Sequence, residues 1–215
     1  MANVMHSEIR KITPITRNIF ISGILPLRES AELLSKYKIK YILCCVDPKN
    51  IIQVYEKLFE TNPDLMVLYL PYNDDLNQNL WMPNNQKIKL ARRAKTRDEY
   101  QNMRQQLEIY QNRPLIEIAY NFINQVVSND QRVLVHCMAG MSRSVSMVTY
   151  FLMKKHHLSF DSSFNYIKKQ RAIANPNDSF QLQLRNYQKM REKFTRNHAA
   201  MFTRINQNLK SKKLT

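Results

Sequence analysis

"VLVHCMAGMSRSVSM" (133–147) holds one of only two glycines in a chain of 215 residues. Ordinary usage, near 7%, would give roughly fifteen. Gly140 stands three residues after Cys137 and three before Arg143. Upstream, "QRVLVH" (131–136) reads as a short apolar strand ending at His136. Downstream, the spacing predicts a helix from about Ser142 to Lys155. The residues between can curl so that backbone N–H groups point inward, which makes an anion nest at a helix N-terminus. Gly140 permits a backbone geometry that a Cβ would block. The Arg143 guanidinium can grip two phosphate oxygens at once. Helix dipole, amides and Arg143 all favour the thiolate of Cys137, which is its nucleophilic form.

The rest of the chain alternates strands and helices. Strands are predicted at 17–23, 39–46 and 65–71, the last two as buried apolar runs. Helices are predicted at 30–38 behind Ser30, and at 50–60 behind Asn50. A further helix follows Pro114, with Leu115, Ile118, Phe122 and Val126 on one face. Two more run from about Asp161 to Lys169 and from about Asp178 onward. Residues 72–85 have loop composition. Residues 86–112 read as polar helix with scattered apolar positions. This order implies an α/β fold: a single domain with a mostly parallel central sheet and helices on both faces. Ligands bind such sheets beyond the carboxyl ends of the strands.

Composition narrows the setting. The formal net charge is +16, which attracts polyanions without naming one. Three cysteines, two of them adjacent, make no disulfide framework, so the expected setting is intracellular, cytoplasmic or nuclear. No apolar run is long enough for a membrane span, and the N-terminus lacks the pattern of a signal peptide. No cluster with zinc-ligand spacing occurs, so neither metal nor cofactor is expected.

Cys-x5-Arg by itself arises easily by chance. His before the cysteine, Gly at the third position after it and Ser after the arginine make the match specific, and strand and helix flank it. "HCMAGMSRS" (136–144) resembles the signature loop of the cysteine-dependent protein tyrosine phosphatases, closest to the small dual-specificity phosphatases. "SEIRKITPITRNIFISG" (7–23) resembles that family's opening strand. "FDSSFNYIKKQRAIANPNDSFQLQLRNYQ" (160–188) resembles its closing block. The resemblance implies Cys137 as nucleophile and Arg143 as phosphate clamp. Met138, Ala139, Gly140, Met141 and Ser142 would supply amides to the phosphate. Ser144 would assist departure of the thiolate, and His136 and Asn177 would hold the loop. The partner implied is a phosphorylated protein substrate.

Expelling an alkoxide or phenoxide needs a proton donor opposite the cysteine. "PYNDDLNQNL" (71–80) offers Asp74 and Asp75 just after a strand; alignment to the family favours Asp74, and the other has a turn or capping role. Two alternatives share the sequence: removal of RNA 5′ phosphates on the same scaffold, and capture of phosphoproteins without turnover. The stretch between 83 and 113 is longer than the family usually has. It gathers Lys87, Lys89, Arg92, Arg93, Lys95 and Arg97. With the basic tail 191–215 it offers polyanion contact beyond a catalytic domain of 1–190. Cys44 and Cys45 read as core packing. Some relatives use a cysteine on this strand to trap an oxidised nucleophile, and Cys44 is the better placed.

Overall fold

A computed structural model of the chain describes residues 2–84, 88–92, 105 and 107–211. Its centre is a six-stranded sheet. In chain order the strands are β1 (Thr13–Pro14), β2 (Ile19–Ser22), β3 (Tyr41–Cys44), β4 (Met66–Tyr69), β5 (Lys89–Arg92) and β6 (Val133–His136). Their spatial order is β1-β2-β6-β3-β4-β5. The inner four are parallel; β1 and β5 are antiparallel edges. The predicted α/β fold with a mostly parallel sheet is therefore observed.

Helices α1 (Ala2–Ile9), α2 (Leu25–Glu29), α3 (Glu32–Lys36) and α4 (Ile52–Thr61) lie in the first third of the chain. Helices α5 (Leu115–Ser128), α6 (Arg143–Lys155), α7 (Phe160–Gln170) and α8 (Asp178–Ser211) follow. The connections β2→β3 and β3→β4 run one way across the sheet, and β4→β6 runs back. Right-handed crossovers then put α2–α4 on one face and α5 on the other. Leu115, Ile118, Phe122 and Val126 of α5 are all buried, as their helical spacing predicts. β6, the strand leading to Cys137, lies between β2 and β3 and is wholly buried. That is the reversal of strand order where such sheets open a crevice.

Three local expectations fail. Ser30 does not cap a helix; it ends α2, and α3 starts behind Ala31 with no side-chain cap. Asn50 is not at the N-cap of α4, which Ile51 occupies. Asn50 closes a 3-10 turn, Pro48–Asn50, whose N-terminal Asp47 accepts from the Lys49 N–H. The third failure is larger. Within the stretch read as helix, Lys89–Arg92 is an edge strand paired with β4. The alternation of Ile88 and Leu90 with lysines has a period of two, and the open edge of β4 offers unpaired backbone groups. Ile88 is buried and Leu90 packs on the core. Lys87, Arg93, Lys95 and Arg97 lie outside the described residues. α8 continues through residue 190 without a break as far as Ser211. Among the described residues no helix is long and apolar enough to cross a membrane.

Candidate active site

β6 ends at His136 and α6 begins at Arg143, so residues 137–142 form the turn between them. Four carbonyls of this turn are drawn outward. Met138 O accepts from the Ile24 N–H at 2.9 Å, and Met141 O from the Asn175 N–H at 2.8 Å. Ala139 O and Gly140 O accept from Arg171, at 3.1 and 2.7 Å. In a planar trans peptide the N–H points opposite to the C=O, so the amides that follow these carbonyls turn inward. The Gly140 N–H already donates to Cys137 Sγ at 3.2 Å. Ser144 Oγ lies 3.3 Å from the same sulfur. The turn is an anion nest built around a thiol.

Both glycines of the chain serve this turn. Gly140 has φ +70°, and a Cβ there would lie 2.5 Å from the Ser22 carbonyl and 2.6 Å from Arg171. A Cβ on Gly23 would lie 2.8 Å from Met138 O. The end of β2 and the cysteine turn are thus pressed together, and neither leaves room for a side chain.

Arg143 Nη1 donates to Tyr72 O at 3.1 Å. Its Nε lies 3.5 Å from Asp74 Oδ2, an ion-pair contact. Buried and without a hydrogen bond among the described residues, that Nε keeps a donor free for an anion. Asp74 Oδ1 also accepts from Ser142 Oγ at 2.6 Å and from Asn177 Nδ2 at 3.0 Å. The Asn177 N–H donates in turn to Ser142 Oγ at 3.1 Å. Asp75 instead accepts from the Asn77 N–H at 2.9 Å, an ordinary turn contact. The structure therefore brings Asp74, and not the Asp75 carboxylate, to the turn.

His136 is fully buried. Its Nδ1 is 3.2 Å from Cys137 O, which can only accept, so Nδ1 carries the proton. Nε2 then accepts from the Tyr55 hydroxyl. Burial pushes its pKa down to about 4, so the imidazole is neutral at pH 7. Burial pushes the Cys44 thiol up to about 12, and Cys45 well above its ordinary value. Both are thiols at neutral pH. Cys44 pairs in register with His136 on the neighbouring strand.

Sequence reasoning assigned no role to three residues. Arg171 follows Lys168, Lys169 and Gln170 and looks like a solvated helix end, yet it is fully buried. Besides the two loop carbonyls it donates to Thr13 Oγ1 at 2.9 Å. Burial lowers its pKa, and Cys137 opposes that shift. Tyr55, an inward position on α4, orients His136. Gln183 staples the segment carrying Asp74: its Oε1 accepts from the Leu80 N–H and its Nε2 donates to Gln78 O, both at 2.8 Å. Gln183 stood within the closing block quoted above; nothing local marked Arg171 or Tyr55.

Residues 27–190 match the family model described as dual specificity phosphatase, catalytic domain. The chain is 45% identical over 189 residues to a protein of Acanthamoeba polyphaga mimivirus named "Putative tyrosine-protein phosphatase R622", covering 88% of this chain and 89% of that one. It is 30% identical over 166 residues to human dual specificity protein phosphatase 9, covering 75% of this chain and 33% of that one. The human tyrosine phosphatase-like serine/threonine/tyrosine-interacting protein superposes with a TM-score of 0.60 at 20% identity, covering 84% of this chain and 97% of that one.

Proposed function

Since the chain belongs to the dual-specificity phosphatase family and is by that membership a cysteine-dependent phosphoric monoester hydrolase, we propose that its reaction runs through Cys137, Arg143, Asp74 and Ser144. The substrate is a phosphorylated side chain of a protein, phosphotyrosine and also phosphoserine or phosphothreonine. The phosphate sits in the nest of residues 138–142, and Arg143 takes two of its oxygens. The Cys137 thiolate attacks phosphorus. As the S–P bond forms, the P–O bond to the side chain breaks, and Asp74 gives its proton to the departing oxygen. A water molecule then attacks the phosphocysteine and gives a proton to Asp74. The S–P bond breaks, and the Ser144 hydroxyl donates to the returning thiolate. His136 and Asn177 are positioning residues.

One observation carries this reading: the Cys137 sulfur accepts the Gly140 N–H beside Ser144, while Asp74 contacts both Ser142 and Arg143. Rapid quenching in acid during turnover of a phosphotyrosine peptide should trap one phosphate per chain on Cys137. Cys137→Ser should bind that peptide and lose at least about 10⁴-fold in turnover. Activity retained in this variant overturns the assignment. Neither RNA hydrolysis nor capture without turnover gains support from the relatives.

We further propose residues 1–190 as the catalytic unit and 191–215 as a basic extension. Polyanion contact through that extension and the 83–113 stretch belongs to the same reading, as does a cytoplasmic or nuclear setting. Lys89, exposed on β5, and the free cysteines Cys44, Cys45 and Cys137 are the observations in its favour.

A further inference from the structure

Between α2 and α4 lies a cleft of about 600 Å³, lined by Leu27, Arg28, Lys49, Ile51, Val54 and Lys57, with Gln53 at its edge. Its lining combines two chemistries. Leu27 and Ile51 are buried and Val54 half-buried, which makes an apolar floor. Arg28, Lys49 and Lys57 are exposed on the rim, and none forms an ion pair among the described residues. Among the described residues no carboxylate lines the cleft. Of the acids nearest in sequence, Glu29 pairs with Arg10 and Asp47 accepts the backbone N–H of Lys49, while Glu56, beside Lys57, is exposed and outside the lining. Three unpaired cations at one recess repel each other unless an anion joins them.

The cleft is also tied to the catalytic turn by both its walls. α2 follows Ile24 directly, and the Ile24 N–H holds Met138 O. α4 carries Tyr55, whose hydroxyl holds His136. Met138 itself is exposed, 41%, where the turn meets the start of α2.

We infer that this cleft docks an acidic segment of the phosphoprotein substrate, adjoining the phosphorylated residue, with one apolar side chain on the Leu27–Ile51–Val54 floor. The inference rests on the phosphoprotein reading above and adds its specificity. Charge complementarity selects the occupant. Aspartates and glutamates on an extended peptide answer three rim cations, and the floor takes a hydrophobic neighbour. Among the described residues no aromatic side chain lines the recess for base stacking, and a concave floor suits a bound side chain better than a bilayer.

The test uses the full chain and the variant carrying Arg28→Glu, Lys49→Glu and Lys57→Glu together. Substrates are a small aryl phosphate and two phosphotyrosine peptides that differ only in three flanking residues, Asp or Asn. Turnover of the aryl phosphate and the Asn peptide should stay within about twofold. For the Asp peptide kcat/KM should fall by about tenfold or more, through KM, and its salt dependence should flatten. A matching Gln triple variant should fall between the two, with an unchanged unfolding midpoint for both variants. Equal losses on the two peptides, or none, overturn the inference. A labelled, unphosphorylated Asp peptide reads the cleft without chemistry. Should the native chain bind it and the Glu variant not, while neither hydrolyses any phosphate, the docking site stands and the catalytic reading falls. Should both hydrolyse phosphate and bind that peptide equally, the catalytic reading stands and the docking site falls. If the triple variant loses binding to single-stranded RNA or phosphatidylserine vesicles and not to the peptide, the inference fails.

Discussion

The turn at 137–142 and the segment at 72–80 meet at Ser142 and Asp74, yet they are held in opposite ways. The cysteine turn is fixed by its main chain: four carbonyls anchored outward, two by a buried guanidinium, and a glycine pressed on β2. The Asp74 segment is held by side chains. Tyr72 Oη donates to Leu80 O, Gln78 accepts from the Asn73 N–H, and Asn177 and Gln183 reach across from α8 and the residue before it. Main-chain anchorage in a packed interior leaves few alternatives. Side-chain hydrogen bonds at a partly exposed loop are worth about 1 kcal/mol each and can be remade. The anion bowl is therefore rigid, and the proposed proton donor is adjustable.

Substitutions can break that contrast, the largest effect first. Asp74→Asn should cost about 10³-fold in kcat on a phosphotyrosine peptide, whereas Asp75→Asn should stay within about twofold. Steady-state kinetics on both variants decides, and comparable losses would dissolve the distinction between the two carboxylates. Gly140→Ala attacks the rigid side. A methyl 2.5 Å from the Ser22 carbonyl, at φ +70°, should cost about 3–4 kcal/mol in urea unfolding as well as activity. A third measurement probes the strand that feeds the turn. His136 has a folded pKa of about 4 against an ordinary 6.5. Below pH 6.5 the unfolded chain binds a proton that the folded chain refuses, so stability should fall as pH drops from 6.5 to 4. The loss from this group is about 3 kcal/mol, and His136→Asn should remove it from the pH profile. Asn177→Ala removes the adjustable side's contact to Asp74 and the side-chain cap of α8, where its Oδ1 accepts the Phe180 N–H at 2.9 Å. It should lower kcat about tenfold and cost about 1–2 kcal/mol of unfolding free energy, less than Gly140→Ala. A stability loss as large as that of Gly140→Ala would show the Asp74 segment to be as rigid as the turn.

The same contrast governs what the sequence discloses. Strand, turn and helix at 131–155 are legible because the β-branched run, cysteine, glycine and arginine are consecutive, and the chemistry follows their spacing. Asp74 is favoured over its neighbour only by the family resemblance; the residues alone leave two candidates, since the contacts that separate them come from Ser142 and Asn177, far off in the chain. Arg171 and Tyr55 carry no local mark. Their burial depends on Thr13, Ala139, Gly140 and His136, which the fold alone delivers. The misreading at 89–92 has a similar cause. Polar composition over many residues favoured a helix, but the free edge of β4 captured four of them as a strand.

Arg171 has one more consequence. Its guanidinium joins a hydroxyl in the first fifteen residues to carbonyls more than a hundred positions away. A chain trimmed to the boundaries of the recognised catalytic module, 27–190, would discard that hydroxyl together with Gly23 and the whole of β2. Every residue proposed to act in catalysis would survive the cut, but the masonry behind them would not. The leading twenty-six residues, remote from the chemistry on paper, are its foundation.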